Sequence, residues 1–193
     1  LTPKFQEIDW SAKETELNSG NIDCIWNGMT IDDDRKATMG ISNPYMENKQ
    51  VLVVRAADAE KYTTAEAMNG VAVVAEQESA GEEVITTDAF FAGAEYTAVV
   101  DMATALKEVK AMTADACVVD YVTSIGMIGE GTDYADLVVV DAMSFADEQY
   151  GIAFRKDSDV TAAVNAAITK LVENGTLAEI ASEYKLAEQV IAK

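Results

Sequence analysis

A short apolar run, Ala116-Cys117-Val118-Val119-Asp120, follows a helix-like stretch that begins at Asp101. Residues 101–112 combine this aspartate with apolar residues at helical spacing, which predicts a capped amphipathic helix. Residues 116–119 are apolar at every position, a pattern typical of a strand that is buried on both faces in a parallel sheet covered by helices. The succession of helix, turn and buried strand predicts an α/β architecture.

The same alternation extends along the rest of the chain. Further strands are predicted at residues 22–26, 51–54, 71–74, 97–100, 137–140 and 151–154. Two later helices are predicted: Ser158 caps the first, which Asn174-Gly175 is expected to end, and Thr176 starts the second. The length of 193 residues fits one large domain or two small lobes.

The composition excludes several classes of function. The chain of 193 residues has 14 basic and 34 acidic residues, a formal net charge of −20 and a pI near 4.1. Such a field repels phosphates, so nucleic acid and an anionic membrane surface are not expected as partners. Because the chain has no histidine, it cannot form a Ser-His-Asp or Cys-His nucleophile or an HExxH zinc site. We expect no metal or cofactor.

The sequence contains few features that indicate a cellular compartment or a membrane-spanning segment. No apolar run is long enough to span a bilayer. The chain begins at Leu1 without a basic and then apolar leader, so we expect either a removed leader or a natural start upstream. Cys24 and Cys117 each lie in an apolar run and are predicted to be buried thiols rather than a disulfide.

An internal similarity indicates two related lobes. Residues 17–27 resemble residues 109–120, since both contain a helix end, a turn, an aspartate and an apolar strand that ends in a polar residue. Two similar α/β lobes would place Asn27 and Asp120 at the carboxyl ends of equivalent strands, where open α/β sheets bind ligands. Chance similarity between two ordinary helix–strand junctions is the alternative.

The first candidate site follows the strand that contains Cys24. Gly28 permits close approach of a ligand to the backbone, and Thr30 offers a hydroxyl and an amide. Asp32 is predicted to cap a short helix that carries Arg35, whose guanidinium can bind a carboxylate with two parallel hydrogen bonds. The alternative is that Arg35 pairs only with the neighbouring aspartates at the surface.

The second candidate site involves Ser79 and Asp120. Ser79-Ala80-Gly81-Glu82 has the form of a capping box, and its helix would direct free amides toward a small anion, although most capping boxes bind nothing. Asp120 ends a buried strand and can pair with an ammonium group, or it can cap the helix that follows. An arginine with Thr30 in one lobe and Asp120 with a helix N-terminus in the other are together complementary to a zwitterion such as an α-amino acid.

The sequence resembles the polar amino-acid solute-binding proteins of bacterial ABC importers along essentially its whole length. The matching motifs are Asp9-Trp10, Leu17-x-x-Gly20-x-Ile22-Asp23, Gly28-Met29-Thr30, Arg35, Ser42-x-Pro44-Tyr45, Gln149-Tyr150-Gly151-Ile152-Ala153-Phe154 and Asn174-Gly175-Thr176. The resemblance implies a type II periplasmic-binding-protein fold, in which two lobes joined by two crossovers close on an amino acid. It places lobe 1 at residues 1–47 plus 149–193 and lobe 2 at residues 48–148.

For lobe 1, the resemblance implies that Arg35 binds the α-carboxylate of the ligand. It also implies that Thr30 and Gly28 flank the α-amino and carboxylate groups, and that Trp10 lines the ligand side chain. The family begins with a further strand and helix, which are absent before Phe5 here. We therefore expect exposed apolar surface around Ile25 and Trp26, covered by residues upstream of Leu1 or by self-association with a second chain.

For lobe 2, the resemblance implies that Asp120 binds the ammonium group and that Ser79 lies at the helix N-terminus facing the ligand. The family usually has glycine at the position of Glu78 and often threonine or glycine at that of Ala80, so the contacts around Ser79 differ from its pattern. Glu76 and Glu78 lie close to this helix start and favour a cationic or polar neutral ligand side chain over an acidic one.

The resemblance implies a protein that is not an enzyme, lies outside the cytoplasm in a periplasm or on a lipid anchor, and delivers an amino acid to an ABC permease. Two alternatives remain at this point. One is the sensor module of a receptor, and the other is an enzyme of the dehydratase type, which shares the fold but needs an acid or base group.

Overall fold

The computed structural model describes residues 2–193, apart from the side chains of Asp141 and Ala142. The chain forms two compact units. The first comprises the residues up to Glu47 together with Glu148–Lys193, and the second comprises Asn48–Asp147. The chain therefore passes from the first unit into the second and returns once.

Helices and strands alternate in the described residues, which confirms the α/β class. The helices are α1 (Lys13–Ser19), α2 (Asp33–Thr38), α3 (Ala80–Thr87), α4 (Met102–Lys110), α5 (Tyr121–Met127), α6 (Val160–Glu173) and α7 (Thr176–Glu183). The strands are β1 (Ile25–Thr30), β2 (Met39–Ile41), β3 (Met46–Arg55), β4 (Ala72–Glu76), β5 (Glu95–Val99), β6 (Ala116–Asp120) and β7 (Leu137–Arg155).

The second unit has helices on both faces of a sheet with the strand order β7-β3-β6-β4-β5. Alternate residues of β3 and β6 face opposite sides: Leu52 and Val118 pack in the cluster that includes α3, whereas Val51 and Val119 pack in the cluster that includes α4. Strand β4 is parallel to β5 and β6, but β3 is antiparallel to β6. The prediction of strands buried on both faces is confirmed, although the sheet is mixed rather than parallel.

The first unit is built on antiparallel pairs. Strands β1 and β2 both pair with the C-terminal part of β7. Its core contains Trp10, Leu17, Ile25, Met29, Met39 and Ala153. Helix α6 contributes no buried residue. Trp26 is 57% exposed, as expected, whereas Ile25 is only 3% exposed, so the prediction of apolar exposure is wrong for Ile25.

Several local predictions are corrected. Strand β1 continues to Thr30, so Asn27 lies within the strand and not at its end. Helix α6 starts at Val160, with Asp159 rather than Ser158 at the N-cap position, although the Ser158 hydroxyl accepts a bond from the Val160 amide. The strands predicted at 137–140 and 151–154 are parts of the single strand β7.

The two cysteines are free thiols. Cys117 is buried as predicted and Cys24 is half-buried. Across residues 2–193, none of the helices has the length and hydropathy that crossing a bilayer requires.

Candidate functional site

Arg35 is held in place by its own helix. The Asp32 carboxylate caps α2 by accepting from the Arg35 amide at 2.7 Å, and its other oxygen lies 3.1 Å from Arg35 Nε. Nη1 of Arg35 donates to the Thr30 carbonyl at 2.8 Å. The predicted cap at Asp32 is confirmed. The alternative of pairing with an aspartate is also correct, but the side chain is only 12% exposed and is therefore not a surface guanidinium.

Trp10 lies beside this guanidinium in the first unit. Its ring centroid is 5.8 Å from Cζ of Arg35 and 4.9 Å from Nζ of Lys13, distances at which a cation is attracted to the ring face. Trp10 is only 8% exposed. The indole is thus part of the first unit's core and packs on the residue predicted to bind a carboxylate. A contact between Trp10 and a ligand side chain stays a prediction.

Gly28 and Thr30 lie on β1, opposite the returning strand β7. Gly28 has φ +90°, and a Cβ there would lie 3.1 Å from the Tyr150 ring, so a side chain is disfavoured by both conformation and space. The Thr30 hydroxyl donates to Oε2 of Glu148 at 2.6 Å. Glu148 lies 118 residues from Thr30 in the sequence, so no local pattern predicts this contact.

Tyr45 contacts both the Gly28 backbone and two other aromatic rings. Its ring lies 6.5 Å from those of Trp26 and Tyr150. Burial raises the pKa of Tyr45 to about 12, against hydrogen bonds with the Gly28 backbone and the Trp26 side chain that lower the pKa. The phenol is therefore a neutral, hydrogen-bonded support for this part of β1.

Asp120 ends strand β6 in the second unit and is buried. Gln50 is its antiparallel partner in register, and Gln50 Nε2 donates to Asp120 Oδ1 at 2.5 Å. Asp120 stands at the N-cap position of α5, so the alternative prediction, that it caps the following helix, is confirmed for its place but not for its side chain. Its side chain makes no cap bond to α5. Asn48 Oδ1 accepts from the Val122 amide at 3.1 Å instead. A residue of β3 thus takes over the capping, so the Asp120 carboxylate is not needed at the helix start.

Ser79 caps α3 as predicted by accepting from the Glu82 amide at 3.2 Å. The reciprocal half of the capping box is displaced by one residue, because the Glu82 carboxylate accepts from the amide of Glu78 at 2.5 Å. Glu78 has φ +58°, in the left-handed region. This conformation gives a physical reason for the glycine that the resemblance implies at this position.

Helix α3 starts close to the carboxylate of Asp120. A Cβ added to Gly81 would lie 3.0 Å from the Val118 carbonyl and 3.2 Å from Oε1 of Gln50. Gln50 in turn is bonded to Asp120. The predicted residues Ser79 and Asp120 therefore lie in one neighbourhood of the second unit, with Gln50 between them. The sequence signal for Gln50 is its place as a polar residue directly before the apolar run of β3.

The predicted residues thus form two groups, one in each unit. The first combines a largely buried guanidinium with a hydroxyl and a glycine backbone, and the second combines a buried carboxylate with a capped helix start. Guanidinium N–H groups are suited to a carboxylate, and the Asp120 carboxylate is suited to an ammonium group. Neither group contains a histidine, and no cluster of potential metal ligands occurs in the part of the chain that the structure describes.

Comparison with known proteins gives a consistent result. Residues 1–187 match the model of the bacterial extracellular solute-binding proteins, family 3. The arginine-binding extracellular protein ArtP of Bacillus subtilis (strain 168) is 25% identical over 195 residues, which cover 96% of this chain and 72% of ArtP. The chain spans 62–72% of the length of the curated relatives that it matches.

Solved structures show the same fold. Holo ArgBP from T. maritima has a TM-score of 0.75 and 30% identity, covering 91% of this chain and 76% of that one. The ancestral amino acid-binding protein AncCDT-1, a precursor of cyclohexadienyl dehydratase, has a TM-score of 0.82 and 27% identity, covering 94% and 77%. The family match covers nearly the whole chain, so this protein belongs to the bacterial extracellular solute-binding proteins, family 3.

Proposed function

We propose that the protein captures a free amino acid outside the cytoplasm and delivers it to an ABC importer. The relatives support this proposal, since ArtP is named as an arginine-binding extracellular protein and ArgBP from T. maritima has been solved in an arginine-bound form. In this proposal the lobe boundaries and the six ligand-binding residues follow the sequence analysis. The proposed roles are carboxylate binding by Arg35 and ammonium binding by Asp120.

The observation that carries the proposal is that the largely buried Arg35 side chain still has unused hydrogen-bond donors. Its side chain is only 12% exposed, yet its ion pair with Asp32 and its bond to the Thr30 carbonyl do not occupy all of its five N–H groups. A guanidinium in this state gains from binding a second carboxylate, which is the group that every α-amino acid presents. The position of Asp120, buried beside Gln50, supports a matching site for the ammonium group.

The proposal is tested by calorimetry with the twenty L-amino acids and two variants. Arg35→Ala is expected to weaken binding by about 2–5 kcal/mol, the typical loss when one partner of a buried charge pair is removed. Lys36→Ala is the matched control, because Lys36 lies on the same helix and its side chain is 56% exposed in a pair with Asp33. Near-native affinity in Arg35→Ala, or equal losses in both variants, contradicts the assignment.

We further propose that the ligand side chain is cationic or polar and neutral. Glu76, Glu78 and Glu82 place three carboxylates around the start of α3. An acidic ligand side chain near these residues meets like charge, whereas arginine, lysine or glutamine does not. Tight binding of glutamate or aspartate in the same screen, with no binding of arginine, lysine or glutamine, excludes this preference.

A dehydratase activity is not favoured. AncCDT-1, although a precursor of such an enzyme, is itself named as an amino acid-binding protein. The chain has no histidine to act as a general base. Binding and release without chemical change are therefore the proposed activity.

A further inference from the structure

The contact between Thr30 and Glu148 is fixed by the backbone. Thr30 pairs in register with Tyr150, and the Ile31 amide donates to the Gln149 carbonyl at 2.8 Å. These two links hold β1 and β7 together at the place where the side chains of Thr30 and Glu148 meet. The 2.6 Å separation of Thr30 Oγ1 and Glu148 Oε2 is therefore a built contact rather than a chance meeting of long side chains.

The direction of this hydrogen bond follows from chemistry. A threonine hydroxyl has one hydrogen and two lone pairs, and an ionised carboxylate can only accept. The single Thr30 hydrogen must therefore point to Glu148, and the oxygen offers only its lone pairs to other groups. At the same residue, the backbone carbonyl already accepts from Arg35.

We propose that Glu148 is a positioning residue that sets the Thr30 hydroxyl as an acceptor for the α-ammonium group of the ligand. This inference rests on the proposed function, and it assigns a role to a residue outside the six predicted ones. A ligand carboxylate cannot donate to Thr30 Oγ1, whereas an ammonium group carries three N–H bonds and satisfies the oxygen. With Glu148 in place, the Arg35 guanidinium donates hydrogen bonds to the ligand, whereas the Thr30 hydroxyl oxygen accepts one from it.

Because Thr30 can only accept from the ligand, the site distinguishes ligands that carry an α-ammonium group from those that lack it. A ligand that keeps the carboxylate and side chain but lacks the ammonium group leaves the Thr30 oxygen without a donor, and a polar group that is desolvated without a partner weakens binding. Glu148 therefore contributes to the rejection of desamino acids. It does so through Thr30 and not through contact with the ligand.

The test compares L-arginine with its desamino analogue, 5-guanidinopentanoate, by calorimetry on the full chain. If the amino-acid screen selects another ligand, that amino acid and its desamino analogue are used. Glu148→Ala is expected to weaken L-arginine binding by about 10-fold or more and to change binding of the analogue by no more than about 2-fold. Asp147→Ala is the matched control, since it removes a neighbouring exposed charge and is expected to leave both affinities unchanged.

A double-mutant cycle separates positioning from a general effect. In a Thr30→Val background, Glu148→Ala is expected to produce no further loss, and Thr30→Ser is expected to retain the wild-type preference. Thermal unfolding without ligand checks the fold. If Glu148→Ala does not fold, Glu148→Gln replaces it, with the same selective loss expected because the amide is no longer an obligatory acceptor.

The outcomes are distinguishable. Equal losses for both probes, additive losses in the cycle or wild-type affinity in Glu148→Ala overturn the role of Glu148 while the proposed function stands. Failure of the wild-type protein to bind any L-amino acid overturns the proposed function, and this inference with it.

Discussion

Gly81→Ala tests how closely helix α3 approaches the sheet of the second unit. The new Cβ would lie 3.0 Å from the Val118 carbonyl and 3.2 Å from Gln50 Oε1, both shorter than ordinary carbon–oxygen contacts. Neither neighbour yields easily, because Val118 is paired with Leu52 in the sheet and Gln50 is bonded to Asp120. Overpacking of this kind costs about 1–3 kcal/mol, and helix propensity returns at most about 1 kcal/mol.

We therefore expect Gly81→Ala to lower the free energy of unfolding of the second unit by about 1–2 kcal/mol, after the propensity gain is subtracted. Gly126→Ala is the matched control. It is also a glycine-to-alanine change in a helix of the second unit, but apart from its chain neighbours and its own helix backbone no atom lies within 4 Å of its Cβ position. Alanine there is expected to leave stability unchanged or raise it by up to about 1 kcal/mol.

Urea unfolding followed by far-ultraviolet circular dichroism measures both variants. Tryptophan fluorescence does not report this transition, because Trp10 and Trp26, the two tryptophans of the chain, both lie in the first unit. Wild-type or greater stability in Gly81→Ala, or a loss in Gly126→Ala as large as that in Gly81→Ala, refutes the reasoning.

Two further predictions concern ionisation and reactivity. Burial raises the pKa of Tyr45 from 10.0 to about 12, so the unfolded chain loses the phenol proton first as the pH rises. The free energy of unfolding is therefore expected to fall between pH 10 and pH 12. Tyr45→Phe should reduce this pH dependence in unfolding curves, and an unchanged dependence of stability on pH in the variant would contradict the prediction. Burial also raises the pKa of the Cys117 thiol. Iodoacetamide is therefore expected to modify Cys117 only when the second unit unfolds, and rapid labelling of Cys117 itself in the folded protein, located by peptide mapping, would count against this.

Local sequence signals were sufficient where the forces that define an element are local. Helix α4 runs from Met102 to Lys110 behind Asp101, whose carboxylate accepts from the Thr104 amide at 2.6 Å. The cap and the apolar spacing lie within a few turns of each other, so they can be recognised without the fold. The Asp32–Arg35 pair was accessible for the same reason.

Contacts between residues that are far apart in the sequence could not be predicted from local patterns. Strand β7 includes a polar stretch with Asp147, Glu148 and Gln149, which interrupts the apolar pattern, so two separate strands are predicted from the sequence. Its extended form is stabilised by pairing with strands far away in sequence. The contacts of Gln50 with Asp120 and of Thr30 with Glu148 join residues 70 and 118 positions apart. No local pattern encodes such pairs, and these are the contacts that define the two polar groups.

The net charge of the chain affects an approaching ligand at long range, whereas Arg35 affects it only at short range. A formal charge of −20 repels any anion at a distance and attracts cations, an effect that weakens as salt is added. An amino acid with a neutral side chain has no net charge, so the long-range field neither assists nor opposes its approach. A carboxylate is then recognised only at short range, where the largely buried guanidinium of Arg35 is poorly screened. In the proposed function, in which Arg35 binds the ligand carboxylate, this arrangement favours ligands with a cationic side chain, because the long-range field attracts their net charge.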